Sequence, residues 1–488
     1  MKKPLIKASV SLNVIGSLIL IMGILMLPSI GFAAYYGEDD LIPFIISSSV
    51  TLTIGGLMKF FSKGSKDAEI KKRDGYFIVT VGWLSMAVFG MMPYLFSDYI
   101  TTVTDSFFET MSGLSTTGAT ILTDIESLPH GLLFWRSMTQ WIGGMGIIVL
   151  TIAVLPLLGI GGMELFVAEA PGPTKDKIHP RIKETALRLW GIYLLLTLSE
   201  MIILMCLGMN FFDAINHSLT TNSTGGFSTK QASVGAFDNQ WIEYVIVIFM
   251  FLAGTNFTLL YFGFKGKFEK FWKNDEFKWY VIAVIGLVAI ITPIVWTETG
   301  QGLYESFRQT LFQVVSMITT TGYATEDYTM WGSLATLAFF LLLFSGASAG
   351  STSGGIKIVR IVILMKNGFL EFKKRLHPRA VLPVYLNKQP VSNTIIYNLL
   401  AFIFLYLLIF TVGSILLTAF GSSFEVALSS VATCLGNVGP GLSDVGPSGS
   451  FAEIASPGKW VLSFLMLFGR LELFTVALLL TPYYWKKN

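Results

Sequence analysis

Four glycines in this 488-residue chain sit in one recurring pattern: MSGLSTTGATI around Gly118, TTNSTGGFST around Gly226, SMITTTGYAT around Gly322 and TCLGNVGPGL around Gly439. Six residues before each glycine stands a hydroxyl, Ser112, Thr220, Ser316 and Thr433. A segment with helical apolar spacing leads into each copy: FFETMSGL, FFDAINHSL, FRQTLFQVVSM and FEVALSSVA. Glycine opens backbone conformations closed to other residues, and a ring of bare carbonyl oxygens about an axis can replace the hydration shell of a monovalent cation. The chemistry on offer is ion coordination rather than bond making. In the fourth copy Gly436, Gly439 and Gly441 compete for the ring position, and keeping Thr433 six residues ahead selects Gly439.

The elements that must position these strands lie in a membrane. The chain is 53% hydrophobic and 13% charged with mean hydropathy +0.64, whereas soluble domains carry about a quarter charged residues. Apolar runs long enough to cross a bilayer fall at 9–34, 41–61, 74–96, 133–158, 184–209, 241–264, 277–297, 330–356, 393–419 and 458–483. Between the third and the tenth, every second gap holds one glycine pattern. The expected fold is an all-α membrane protein of ten transmembrane helices. Four pseudo-symmetric repeats of span, pore helix, filter and span surround one pore, preceded by two additional N-terminal spans. Expected boundaries are 1–72 for the two-span unit and 73–170, 171–274, 275–380 and 381–488 for the repeats.

Charge sets the orientation. Assigning segments to alternate sides puts 29 of the 34 basic residues on one face, among them Lys2, Lys3 and Lys7, the 59–73, 175–188 and 265–278 loops, the 357–388 stretch and Lys486–Lys487. That face is expected to be cytoplasmic, with both termini on it. The glycine strands open on the other face, which keeps Arg136, Lys230, Arg308 and Lys459 against acids that include Asp105, Glu109, Asp213, Glu305, Glu326, Asp327 and Glu425. An acidic vestibule concentrates cations, although positive-inside sorting alone also leaves an acidic exterior. The first apolar run is too long for a signal-peptide core and reads as a retained span. Cys206 and Cys434 suggest neither a disulfide framework nor a metal site, and the four histidines lack helical metal-site spacing.

QWIGGMGIIVL at 140–150, NSTGGFST at 222–229, TTTGYATED at 319–327 and GRLELFT at 469–475, together with the four repeats, resemble the Trk, Ktr and HKT superfamily of potassium transporters. The two leading spans point to its bacterial TrkH branch, and the similarity covers nearly the whole chain. The resemblance implies potassium uptake across a bacterial inner membrane, with K+ as the transported ion. It further implies a homodimer with one pore per protomer and a cytoplasmic nucleotide-binding regulatory subunit of the TrkA type. No organic cofactor, nucleic acid or enzyme activity is expected. A channel and a symporter coupled to protons or sodium both satisfy the pattern. The potassium-binding chain of a Kdp-like pump shares the four-repeat plan, but the leading spans and GRLELFT favour Trk. A membrane-embedded enzyme is the other alternative, yet Ser345, Ser348, Ser351 and Ser353 have no histidine or carboxylate nearby in sequence.

The expected selectivity filter is Thr116, Thr117 and Gly118; Thr224, Gly225 and Gly226; Thr320, Thr321 and Gly322; and Asn437, Val438 and Gly439. Only Thr321-Gly322-Tyr323 resembles the TVGYG string of tetrameric channels, so a shorter filter with fewer carbonyl sites is expected. In the family a serine at the first glycine is associated with sodium transport, and Gly118 places this chain on the potassium side. Helix packing through small residues is the alternative use of such glycines.

Two features break the four-fold pattern. SGASAGSTSGGIK at 345–357 interrupts the eighth span with small residues, and non-helical backbone at membrane depth survives only inside protein or beside water. It is expected to form an intramembrane gate loop at 345–355, with Gly346, Ala347, Gly350, Ser351, Thr352 and Gly354 beneath the filter; tight helix packing is the alternative. Arg470 in the last span is expected to face the pore and bond loop carbonyls near 347–353, with an ion pair to Glu200 or Glu472 as the alternative. Asn256, Thr255 and Thr258 read as cavity lining or interhelical bonds. The basic segments 366–379 and 171–183 read as docking surfaces or ordinary anchoring.

Overall fold

The computed structural model describes residues 8–62, 72–149, 179–380 and 382–486. The N-terminal part holds α1 (Ala8–Leu25), α2 (Leu27–Tyr36) and α3 (Leu41–Phe61). There follow α4 (Lys72–Gly90), α5 (Met92–Phe96), α6 (Val103–Leu114) and α7 (His130–Val149), then α8 (His179–Cys206), α9 (Phe211–Asn222), α10 (Gln240–Ala253), α11 (Phe257–Phe264) and α12 (Glu269–Lys273). The third group is α13 (Asp275–Thr299), α14 (Leu303–Ile318), α15 (Ser333–Leu342) and α16 (Ile358–Leu376). The last is α17 (Asn393–Ala419), α18 (Phe424–Gly436), α19 (Ser456–Arg470), α20 (Phe474–Leu480) and α21 (Pro482–Trp485). Among the described residues strands occur only as two short pairs, β1 (Ser345–Gly346) parallel to β2 (Ile356–Lys357) and β3 (Tyr385–Leu386) antiparallel to β4 (Gln389–Pro390).

Six helical stretches among the described residues are long and apolar enough to cross a membrane: Ser9–Tyr36, Leu41–Phe61, Arg73–Phe96, Glu184–Cys206, Asp275–Thr299 and Asn393–Ala419. Their outer faces carry bare hydrocarbon, such as Ile282, Ile285 and Ile290 on α13 and Phe404, Leu407 and Ile415 on α17. In water such faces would drive aggregation, and in lipid they cost nothing.

Two runs read from sequence as straight spans are broken. The run at 241–264 bends by 108° between α10 and α11. Asn256 starts the second half by accepting from Thr258 N at 2.8 Å, and Gly254 lies so close to the Tyr280 hydroxyl and Ala347 that no side chain fits. The run at 458–483 breaks after Arg470, where Glu472 and Leu473 both take positive φ, 59° and 50°. Successive non-glycine residues in that region end a helix. The expected span 133–158 is described to Val149. Its remainder, Lys2, Lys3 and Lys7, residues 63–71 of the basic 59–73 loop, residues 171–178 of the 171–183 segment, and Lys487 lie outside the described residues.

The N-terminal helices are fastened to the rest at the acidic face. Glu38 accepts from the His130 backbone N–H at 2.6 Å and pairs with its ring at 2.8 Å, while Asp40 accepts from Leu132 N at 2.9 Å. Both acids thus satisfy free N–H groups at the start of α7, where the helix dipole also favours negative charge. Burial nevertheless pushes the Asp40 carboxyl up to about 6; the Leu132 N–H opposes this, and the neighbouring Glu38 adds to it. A carboxyl raised in the folded state contributes stability that is complete below its ordinary value near 4 and is lost as pH rises through the folded value. Asp40→Asn keeps an acceptor for Leu132 without the buried charge. Its melting temperature in detergent is expected to exceed the native value by a few degrees at pH 7.5 and by a clearly smaller margin at pH 4.5. Equal melting at both pH values would refute the assignment.

Candidate ion-conducting site

The four short helices α6, α9, α14 and α18 are buried over most of their length and end at the glycine strands. Each begins with an acid in its first turn, Asp105, Asp213, Glu305 and Glu425. Side chains of Thr102, Asn210 and Ser423 cap three of them.

All four terminate in one way. The residue two before the glycine takes a left-handed conformation, with φ of 53° at Thr116, 54° at Thr224, 56° at Thr320 and 54° at Asn437. The next N–H then folds back onto the helix. Thr117 donates to Ser112 O, Gly225 to Thr220 O and Thr321 to Ser316 O, each at 2.9 Å, and Val438 to Thr433 O at 3.0 Å. This is a Schellman closure with threonine in three copies where glycine is usual. A β-branched residue there is strained, and strain held by its surroundings clusters at functional sites. The hydroxyl spacing seen in the sequence marked the right position, but what the four copies share is a backbone bond. Among the described residues the Ser112 and Thr433 hydroxyls have no partner, Ser316 Oγ donates to Tyr323 O at 2.7 Å, and Thr220 Oγ1 meets the Tyr323 hydroxyl.

The strands close into a ring. The four glycines take φ of 82°, 78°, 78° and 108°. A Cβ on Gly118 would strike Gly225 O, on Gly226 Thr321 O, on Gly322 Val438 O, and on Gly439 would lie 2.6 Å from Thr117 O. Each glycine therefore abuts the carbonyl just ahead of the next glycine, in the cyclic order one, two, three, four, one. This order includes Gly439 and leaves out Gly436 and Gly441. A cavity of about 70 Å³ outside the ring is lined by Gly118, Gly226, Gly322 and Gly439 together. The carbonyl ends of four helices lie at the start of the ring strands, and the negative ends of their dipoles favour a cation near them.

Two residues beyond each glycine a second cycle runs outside the first. Thr120 O accepts from Phe451 N at 2.8 Å, Ser228 O from Arg136 Nη1 at 3.1 Å, Ala324 O from Gly235 N at 3.3 Å and Gly441 O from the Tyr328 hydroxyl at 2.6 Å. Each donor follows, along the chain, the glycine that precedes in the cycle. These carbonyls are engaged by protein; among the described residues the stretch ending at the glycines keeps its oxygens free except Gly225 O, which Gln140 holds.

Below the ring lies the 345–357 segment. β1 and β2 pinch its base, and Ala347, Ser348, Ser351, Thr352 and Ser353 are buried. Gly354 N donates to the Thr320 hydroxyl at 2.6 Å, and the Thr352 hydroxyl donates to Asn222 O at 3.0 Å. Any side chain on Gly346 would strike Gly354 O, and one on Gly350, whose φ is 73°, would press Asn256. Arg470 is 2% exposed; its Nη1 donates to Thr352 O at 2.8 Å and its Nη2 to Gly143 O at 3.0 Å. Among the described residues neither Glu200 nor Glu472 pairs with it. Glu200 accepts from Asn222 Nδ2 at 2.6 Å, and Glu472 pairs with Arg360. Asn256 is a strut of this segment, donating to Ala349 O at 2.7 Å. Of the 366–379 stretch, Lys366 reaches Tyr385 O at 2.9 Å and Asp275 at 3.5 Å.

Several supports were invisible in the sequence. Gln140, quoted above only within a family string, donates to Gly225 O at 2.7 Å and accepts from Phe227 N at 3.0 Å. Lys357 holds Ser353 O and donates to Gly354 O at 3.2 Å, and Glu276 accepts from Ala349 N at 2.6 Å. None stands out from its neighbours in sequence: Gln140 follows Arg136, Ser137 and Thr139, Lys357 follows a run of Ser, Thr and Gly, and Glu276 sits among Lys273, Asn274, Asp275 and Lys278. Among the described residues no cluster of His, Cys, Asp and Glu could hold a metal ion.

Residues 42–487 match the family model TrkH, described as a cation transport protein. The chain is 41% identical to the Trk system potassium uptake protein TrkH of Salmonella typhimurium over 483 residues, covering 97% of this chain and 99% of that one. It is 37% identical over 475 residues to the Trk system potassium uptake protein TrkG of Escherichia coli, covering 96% and 97%. The crystal structure of the potassium transporter TrkH from Vibrio parahaemolyticus superposes with a TM-score of 0.91 at 37% identity, covering 98% of this chain and all of that one.

Proposed function

The chain belongs to the TrkH family of cation transport proteins, and on that premise we propose that it takes up potassium through the ring of glycine strands. The observation that carries this reading is the closed cycle in which each glycine abuts the carbonyl before the next. Potassium sheds water against carbonyl oxygens of residues 116–118, 224–226, 320–322 and 437–439. The short stack, ended by the engaged carbonyls at Thr120, Ser228, Ala324 and Gly441, gives fewer sites than a tetrameric potassium channel. Inward movement is driven by the membrane potential, worth ~2.3 kcal/mol per charge per 100 mV.

In this reading the 345–355 loop is the gate, held shut by Arg470. The guanidinium keeps the loop in place through Thr352 O and its charge deters a cation from resting beneath the ring. The full architecture is ten spans, broken ones included, in an N-terminal pair and four pore repeats, set in a bacterial inner membrane with both termini cytoplasmic. Names of relatives that speak of a Trk system support a multi-component assembly. We assign it a homodimer bearing a cytoplasmic nucleotide-binding subunit of the TrkA type on its basic face.

The test is rubidium-86 uptake into liposomes holding the purified protein, under an outward potassium gradient. Uptake blocked by potassium and poorly by sodium is expected. No uptake, with a regulatory subunit and nucleotide supplied, would sink the reading; equal block by sodium would leave a pore without potassium selectivity.

A further inference from the structure

One member of the outer cycle differs in kind from the other three. Backbone N–H groups of Phe451 and Gly235 and the Tyr328 hydroxyl make three of the ties, all neutral. The fourth is the guanidinium of Arg136 on α7, 1% exposed and reaching Ser228 O at 3.1 Å. Its Nε bonds Glu109 Oε1 at 2.9 Å, and that carboxylate is fully buried on α6. The same carboxylate accepts from the Thr120 hydroxyl at 3.0 Å and from Ile121 N at 3.1 Å. Arg136 Nη2 reaches Thr120 Oγ1 at 3.4 Å, and its planar head covers the Phe227 ring at 4.1 Å. Thr120 and Ser228 each stand two residues past their glycines, so one buried ion pair ties together equivalent points of the first and second strands.

We propose that Arg136, held by Glu109, is a positioning residue that sets ion specificity by clamping these two strands; the proposal rests on the potassium-uptake reading above. Discrimination between cations of one charge depends on how closely the carbonyls keep their spacing and orientation when a smaller ion enters. Gly225 O occupies the space that a Cβ on Gly118 would need, so strands one and two run side by side in the inner cycle and slack between them reaches the ring directly. Hydrogen bonds with a charged partner are about twice as strong as neutral ones, and the planar fork fixes direction as well as distance. The first wall of the ring therefore yields least, and the clamp never touches the ion.

The test measures rubidium-86 and sodium-22 uptake by the native chain, Glu109→Gln and Arg136→Gln in liposomes. Arg308→Gln serves as control, because it breaks an ion pair, 3.5 Å to Glu243, that among the described residues makes no hydrogen bond to any of the four glycines or to the residues two beyond them. The two clamp variants change local charge in opposite senses. Loss of positioning predicts that both lower the rubidium-to-sodium ratio at least tenfold, with rubidium flux within several-fold of native and the control unchanged. Rubidium flux moving in opposite directions at constant ratio would mean that the pair acts only through charge, and would overturn the proposal. If neither charge variant folds, Thr120→Val decides. It removes the shared hydroxyl and keeps both charges, so a several-fold fall in the ratio supports the clamp and an unaltered ratio refutes it. A native chain that passes no rubidium defeats the uptake reading itself, and the clamp falls with it.

Discussion

Arg470→Ala is expected to raise rubidium flux per molecule at least tenfold in liposomes lacking any regulatory partner. The side chain makes two charge-assisted bonds, to Thr352 O on the loop and Gly143 O on α7, and so, on the proposed reading, joins the gate to the wall. Such bonds contribute about 1.5–3 kcal/mol each, and every 1.4 kcal/mol taken from the closed state shifts the open-to-closed ratio tenfold. Removing the fixed positive charge also lowers the barrier to a cation beneath the ring. Flux must be normalised to correctly inserted protein, since loss of an arginine buried to 2% exposure also threatens assembly. A variant with native thermal stability and native flux would exclude Arg470 from gating.

Gly322→Ala is expected to lower potassium-competed rubidium uptake at least tenfold and to abolish preference over sodium. Its φ of 78° costs an L-residue about 1–2 kcal/mol, and the added Cβ would overlap Val438 O and lie 2.7 Å from Pro440 Cδ. The carbonyl on the next strand must then move, and carbonyl placement is what the site offers an ion. Gly286→Ala, on a helix face of α13 with nothing within 4 Å, should leave uptake unchanged. Retained selectivity in Gly322→Ala would show that the carbonyl beside Gly322 does not coordinate the ion.

Much of this site was legible because its parts are local. A glycine, a hydroxyl six residues earlier and an amphipathic helix before it are one closure motif written four times, and register within it chose Gly439 over Gly436 and Gly441. Arg470 stood out as a charge in an apolar run, and the 345–357 segment as a run without large side chains. What joins the repeats was not legible. Gln140 and Gly225 lie 85 residues apart in sequence, and Arg136 and Ser228 lie 92 apart, so nothing in either neighbourhood marks the other. The breaks at Asn256 and Glu472 escaped for another reason. Hydropathy counts apolar residues along a run, and the bends arise from a capping side chain and left-handed backbone that barely change that count.

The ring is written in a single chain, so its four walls need not agree. Threonine occupies the left-handed position in three of them and asparagine in the fourth, and a charged tie braces one junction while neutral ties brace the rest. In an assembly of four identical subunits one codon change alters every wall at once, and an intermediate pore is out of reach. Here a single change alters a quarter of the circumference. If the ring conducts as proposed, inheritance can therefore adjust the pore in small increments, trading discrimination against throughput one wall at a time while three walls continue to serve the cell.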